Sequence, residues 1–184
     1  MSTTFPGTTI EALHLEKGSS KQLFDGIFAT GGITLSQVSV MTGLEPYLIQ
    51  NWVKRGFVSS PVKRVYSREQ FARIIIINML RESLQIDRIC SLIHIISGVP
   101  DDKSDDLIGD EELYHRYVDM LADGGINIAD EGSVASAADG AVADFDERVA
   151  GARRKLVRIL QVMLYAHSAS DLRKASEDIL SSLT

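Results

Sequence analysis

The chain predicts an all-α fold: a helix-turn-helix with a short wing, then a helical bundle, then coiled-coil-like helices at the C-terminus. Three observations predict it. Ile33 to Tyr66 holds two apolar-periodic runs around Thr42-Gly43-Leu44. Four consecutive isoleucines, Ile74 to Ile77, follow a helix-capping sequence. Apolar residues then step by three and four from Val142 to Met163. Such periodicities mark helices, and 184 residues with 45% apolar content suffice to bury a sizeable core.

In chain order, residues 1–22 read as a tail or a short helix, in which Ile10 and Leu13, with Leu23, would meet the core. A first unit spans 23–122. In its first helix, about Leu35 to Met41, Leu35, Val38 and Met41 share one face. Gly43 then supplies the positive φ of a helix C-cap, and Leu44 drops between the helices. Pro46 sits where a first helical residue belongs, because its missing N–H would be unsatisfied there anyway. The second helix runs from Pro46 to about Arg55 and stops at Gly56.

That second helix divides by face. Leu48, Ile49, Trp52 and Val53 form an apolar stripe, while Tyr47, Gln50, Asn51 and Lys54 recur at i, i+3, i+4 and i+7 on the other side. Gln and Asn amides can pair with the N6/N7 edge of adenine, and a Lys can reach a phosphate or a guanine. These four are the candidate base-contacting residues. Arg55, Lys63, Arg64 and Arg68 are the candidate phosphate contacts, which position a protein without reading sequence. Only nine residues separate Gly56 from Tyr66, with Pro61 and no Gly, so the expected wing is a short extended arm rather than a full hairpin.

The motifs carry a resemblance. Gly43-Leu44-Glu45-Pro46, Trp52, Lys54-Arg55-Gly56-Phe57 and Tyr66-Ser67 resemble the N-terminal domain of MerR-type regulators. The runs IQNWVKRGF, PVKRVYSREQ and INMLRESLQI are similar to the DUF1836 group of MerR-like proteins, over about Leu23 to Tyr117. The resemblance implies a DNA-binding regulator. One position departs from the wider pattern, since Gln50 stands where the recognition helix usually has an arginine.

Ser67 and Gln70 form a capping box opening a helix to about Glu82. Its isoleucines point in all directions, which predicts a buried hub. A further helix spans about Ile86 to Ser97, with Ile89, Leu92, Ile93 and Ile96 inward, and Gly98-Val99-Pro100 ends it. An acidic connector, Asp101 to Asp106, leads to a helix from Asp110 to about Asp123 that buries Leu113, Tyr117, Met120 and Leu121. Residues 123–140, rich in Gly, Ala, Ser and Asp, read as a flexible linker. The segment 141–184 then carries the seam Val142, Phe145, Val149, Ala152, Leu156, Ile159 and Met163, followed by a last amphipathic helix from about Asp171 to Leu183. This seam either self-associates or packs back on the hub. Its length and its place after a linker favour a homodimer through 142–183.

Net charge is −6, but its distribution is uneven. Ile33 to Arg81 holds seven bases against two acids, whereas Gly98 to Glu147 holds two bases against fifteen acids. The basic patch coincides with the helix-turn-helix, and local field decides phosphate attraction. The expected partner is double-stranded DNA, bound by a dimer at half-sites about 34 Å apart or a multiple of that. Cys90 and His94 lie four apart with no second ligand pair, so no metal site is expected. The acidic run fails the calcium-loop spacing, because Leu107 stands where the glycine belongs. No P-loop, zinc motif or nucleophile elbow occurs, so the sequence predicts neither an enzyme nor a cofactor. With no signal-peptide pattern, no membrane span and a single cysteine, the expected location is cytoplasmic.

Overall fold

A computed structural model of the chain describes residues 3–97, 106–147 and 149–183. Eight helices dominate the described residues, accompanied by two minimal two-stranded sheets. The sheets are a small departure from the all-α expectation. β1 (Thr3–Thr4) and β2 (Glu11–Ala12) pair antiparallel, with Thr3 opposite Ala12. Residues 3–12 are therefore neither tail nor helix. Their loop lies on the core: Phe5 is buried, the Tyr114 hydroxyl donates to Pro6 O at 2.9 Å, and Asn78 Nδ2 donates to Gly7 O at 3.0 Å.

α1 (Ser19–Ile27) follows, and its Phe24 packs on Tyr114 of the helix Asp110–Ala122. β3 (Ile33–Thr34) leads straight into α2 (Leu35–Thr42), whose Thr34 cap forms a reciprocal box with Gln37. α3 (Pro46–Lys54) comes next, then β4 (Val65–Tyr66), which pairs back on β3 with Ile33 opposite Tyr66.

α4 (Arg68–Leu80) is the hub. Ser67 and Gln70 form the predicted capping box, and Phe71, Ala72, Ile74 to Ile77, Met79 and Leu80 are all buried. A helix apolar on every side needs cover on every side. α6 (Asp110–Ala122), α8 (Ala152–Ser182) and α2 provide it. α5 (Ile86–Ser97) turns Ile89, Ile93 and Ile96 inward and leaves Leu92 half-buried. The predicted stop at Gly98-Val99-Pro100 lies outside the described residues, as do the first five residues of the acidic connector. Asp110 meets Arg73 at 2.8 Å; burial still outweighs that guanidinium and pushes the carboxyl up to about 6.

Two elements differ from expectation in the C-terminal third. The stretch predicted as a linker contains α7 (Glu131–Gly140), capped by the Asp130 carboxylate accepting from Gly132 N at 3.0 Å. Val134 and Ala138 bury one of its faces, and α7 packs on α8. The predicted long seam also breaks. Gly151, at φ 81°, starts α8 only at Ala152, so Val142, Phe145 and Val149 precede the helix. Ala152, Leu156, Ile159 and Met163 are buried in the monomer, and this proximal seam is taken up by the chain's own core. No break separates it from the last predicted helix, because α8 runs continuously to Ser182.

Candidate nucleic-acid interface

The turn between α2 and α3 is built by short side chains. Thr42 Oγ1 donates to Val38 O at 2.7 Å and accepts from Leu44 N at 3.3 Å, while Ser39 Oγ donates to Leu44 O at 2.6 Å. Gly43 takes φ 69°, and Leu44 is buried between the helices. Ile49 and Trp52 then anchor α3, with Leu48 and Val53 packed at the edge of the core. The opposite face is bare. Tyr47 is 65% exposed, and Gln50, Asn51 and Lys54 are exposed beside it. All four predicted readers thus share one solvent face.

Past α3, Phe57 N and Val58 N both donate to Trp52 O, at 2.9 and 3.4 Å, so the chain hugs the helix end. Gln70 Nε2 holds the next stretch by donating to Ser59 O at 2.9 Å and to Ser60 O at 3.0 Å. The chain reverses at Val62–Val65, where Val65 N donates to Val62 O at 3.0 Å and the two valines form a single bridge. Lys63 and Arg64 occupy the two central positions at φ 51° and 66°. Positive φ at both centres is a type I′ turn, usually made from Asn and Gly. The sequence contained no Gly to announce it. The short arm is accordingly a one-bridge hairpin whose tip consists of two exposed cations.

Residues 32–117 match a family model described as a domain of unknown function, DUF1836. Over that segment the chain is similar to this family. No curated protein and no solved structure matches the chain.

The matched segment holds all eight candidate residues, and it treats one of them differently. Arg68, in the first turn of α4, donates Nε to Glu111 at 2.8 Å and places Nη2 2.9 Å from Asp25. Its guanidinium also lies over Phe24 and Phe28. The hydrogen bond it donates to Glu111 raises its pKa, so Arg68 serves as a clamp between α1, α4 and α6. Arg55 stacks on Phe57, 4.5 Å from the ring centroid, and keeps its charge at the surface. Lys63 and Arg64 share the turn tip.

Among the described residues no cluster of His, Cys, Asp and Glu could hold a metal ion, and no helix is long and apolar enough to cross a membrane. Within the matched segment, Cys90 is half-buried and burial pushes its thiol up, with the Arg55 charge opposing. His94 is exposed on the same helix.

Proposed function

We propose that this chain is a cytoplasmic, non-enzymatic, sequence-specific DNA-binding transcriptional regulator of the MerR-like helix-turn-helix kind. The reading rests on one observation above all: Tyr47, Gln50, Asn51 and Lys54 are together and exposed on the helix that follows the α2–α3 turn. Amides at that spacing match adenine edges in a major groove. Arg55, Lys63 and Arg64 supply phosphate contacts beside it. Arg68, engaged by Asp25 and Glu111, leaves the phosphate-contacting set.

The test is fluorescence-anisotropy titration on a randomised duplex pool and on the protein's own promoter region, at about 50 and 200 mM salt, where phosphate contacts separate steeply. Gln50→Ala or Asn51→Ala is expected to cost about 1 to 3 kcal/mol on the preferred duplex and to leave pool binding nearly unchanged. Equal losses on both would remove these residues from base reading.

A second reading has one observation in its favour. A protein-interaction module with this fold and no DNA binding accommodates the engagement of Arg68 and the strongly acidic region around α6 and α7. Salt-independent absence of duplex binding by the folded protein would favour it.

A further inference from the structure

Basic residues gather in the first two turns of α8. No acid occurs between Glu147 and Asp171, while Arg153, Arg154, Lys155 and Arg158 crowd into the start of that stretch. Arg154 and Arg158 stand four apart on one face of the helix, with Arg153 and Val157 on the adjoining face. These four residues line a groove of about 460 Å³ together with Gly151, the Asp139 carboxylate and the Glu147 carboxylate. Small-molecule sites usually span about 300 to 1,000 Å³.

The rest of the chain leaves these cations largely unengaged. Arg158 Nη1 donates to Gln161 Oε1 at 3.2 Å, a neutral partner. Arg153 Nη2 lies 3.3 Å from Asp139 Oδ1, a contact between two side chains that water reaches and therefore worth little. Among the described residues Arg154 and Lys155 make no hydrogen bond or ion pair through their side chains. Helix stability does not account for them either. The first turn of α8 holds no acid, and cations there oppose the helix dipole.

We propose that this groove binds an oligophosphate carried on a body that bears hydroxyl or amino groups, the chemistry of a nucleoside di- or triphosphate. Guanidinium forks take phosphate oxygens in pairs. Arg154 and Arg158 are exposed and neither is held by a carboxylate, so both are open to such pairing. Arg153 can exchange its weak contact with Asp139 for a third. Three guanidiniums match the charge of a di- or triphosphate better than that of a single phosphate. The two carboxylates in the lining select the remainder of the ligand, because they repel phosphate and accept hydrogen bonds from hydroxyl and amino donors. A duplex backbone presents phosphates without such donors and would face both carboxylates with like charge. Gly151 leaves the groove open beside Val157, since a Cβ built there would meet nothing within 4 Å. The groove lies outside the matched segment 32–117, and the inference does not depend on DNA binding at α3.

Isothermal titration of the full chain with ADP and with inorganic tripolyphosphate, at about 50 mM salt and without divalent cations, tests it. Both probes are expected to bind at one site per chain. Arg154→Gln and Arg158→Gln should each raise both dissociation constants about tenfold or more, through loss of charge-assisted hydrogen bonds. Asp139→Asn combined with Glu147→Gln should weaken ADP several-fold and leave tripolyphosphate at least as tight. Lys174→Gln, exposed farther along α8, should change neither. Unaltered circular dichroism and an unaltered melting temperature without ligand would show that the variants are folded. No binding of either probe up to roughly 1 mM would overturn the proposal, as would binding that the arginine variants retain. Equal binding of sulfate at matched ionic strength would overturn it by reducing the groove to a general anion site. An ADP affinity that ignores the two carboxylates would overturn the nucleotide assignment. Loss of duplex affinity in the arginine variants, with neither probe bound, would overturn it by giving the arginines to nucleic acid.

Discussion

Lys63 and Arg64 hold a conformation that L-residues avoid, at about 1 kcal/mol or more apiece. Such strain persists where the surroundings impose it, here through the Val62–Val65 bridge and the pairing of β4 with β3. Strain and charge then trade against each other. Arg64→Gly should raise stability by about 1 kcal/mol in urea titration, since glycine takes that φ freely. The same variant should bind duplex more weakly and flatten the logarithmic salt slope by roughly one contact. A loss of binding without the gain in stability would mean the turn is unstrained. Gly7 offers the converse case. At φ 73° it lies against the Ile75 carbonyl, where a Cβ has no room. Gly7→Ala is expected to cost on the order of 2 to 4 kcal/mol. Gly18→Ala, at φ 77° over open space, should cost about 1 kcal/mol, so the difference in urea midpoints isolates the steric part.

At the scale of elements, α6 and α8 are joined by a polar contact as well as an apolar one. The Tyr117 hydroxyl meets His167 Nδ1 at 2.8 Å, and His167 Nε2 lies 3.7 Å from Asp171. Burial lowers the His167 pKa, with Asp171 opposing, so the folded protein holds the ring neutral below the usual 6.5. The unfolded chain takes up the proton first. Stability from this group is therefore full above pH 6.5 and is lost as the pH falls below it toward the folded value. His167→Gln should show a flatter loss of stability than wild type between pH 7.5 and 5.5 in urea titrations, and an unchanged slope would remove His167 as a source. α7 shows why some elements escape a reading of sequence. Its Gly, Ala, Ser and Asp content reads as loop, and the two small apolar residues Val134 and Ala138 make a weak stripe. Only contact with α8 and α6 gives that stripe value. Gly151 is a similar case: the apolar spacing runs through it, yet its backbone ends the continuity.

For the molecule as a whole, what local chemistry determines could be read in advance. The Ser67–Gln70 box, the Gly43 cap, the isoleucine hub and the bare face of α3 are set by neighbours within a few turns. What depends on distant pairing could not. The turn at Lys63 and Arg64 follows from β3 meeting β4, the locking of Arg68 from residues 43 positions away on either side, and the fate of the proximal seam from competition between the hub and a partner. The hub also bears on how this protein can be divided. α4 lies within the matched segment 32–117, but part of its cover, the 3–12 loop and α8, comes from outside. The boundaries of inheritance and of self-sufficiency do not coincide. Transplanted alone, the segment would carry bare isoleucine faces into water, so any host that borrows it must bring helices of its own to close them.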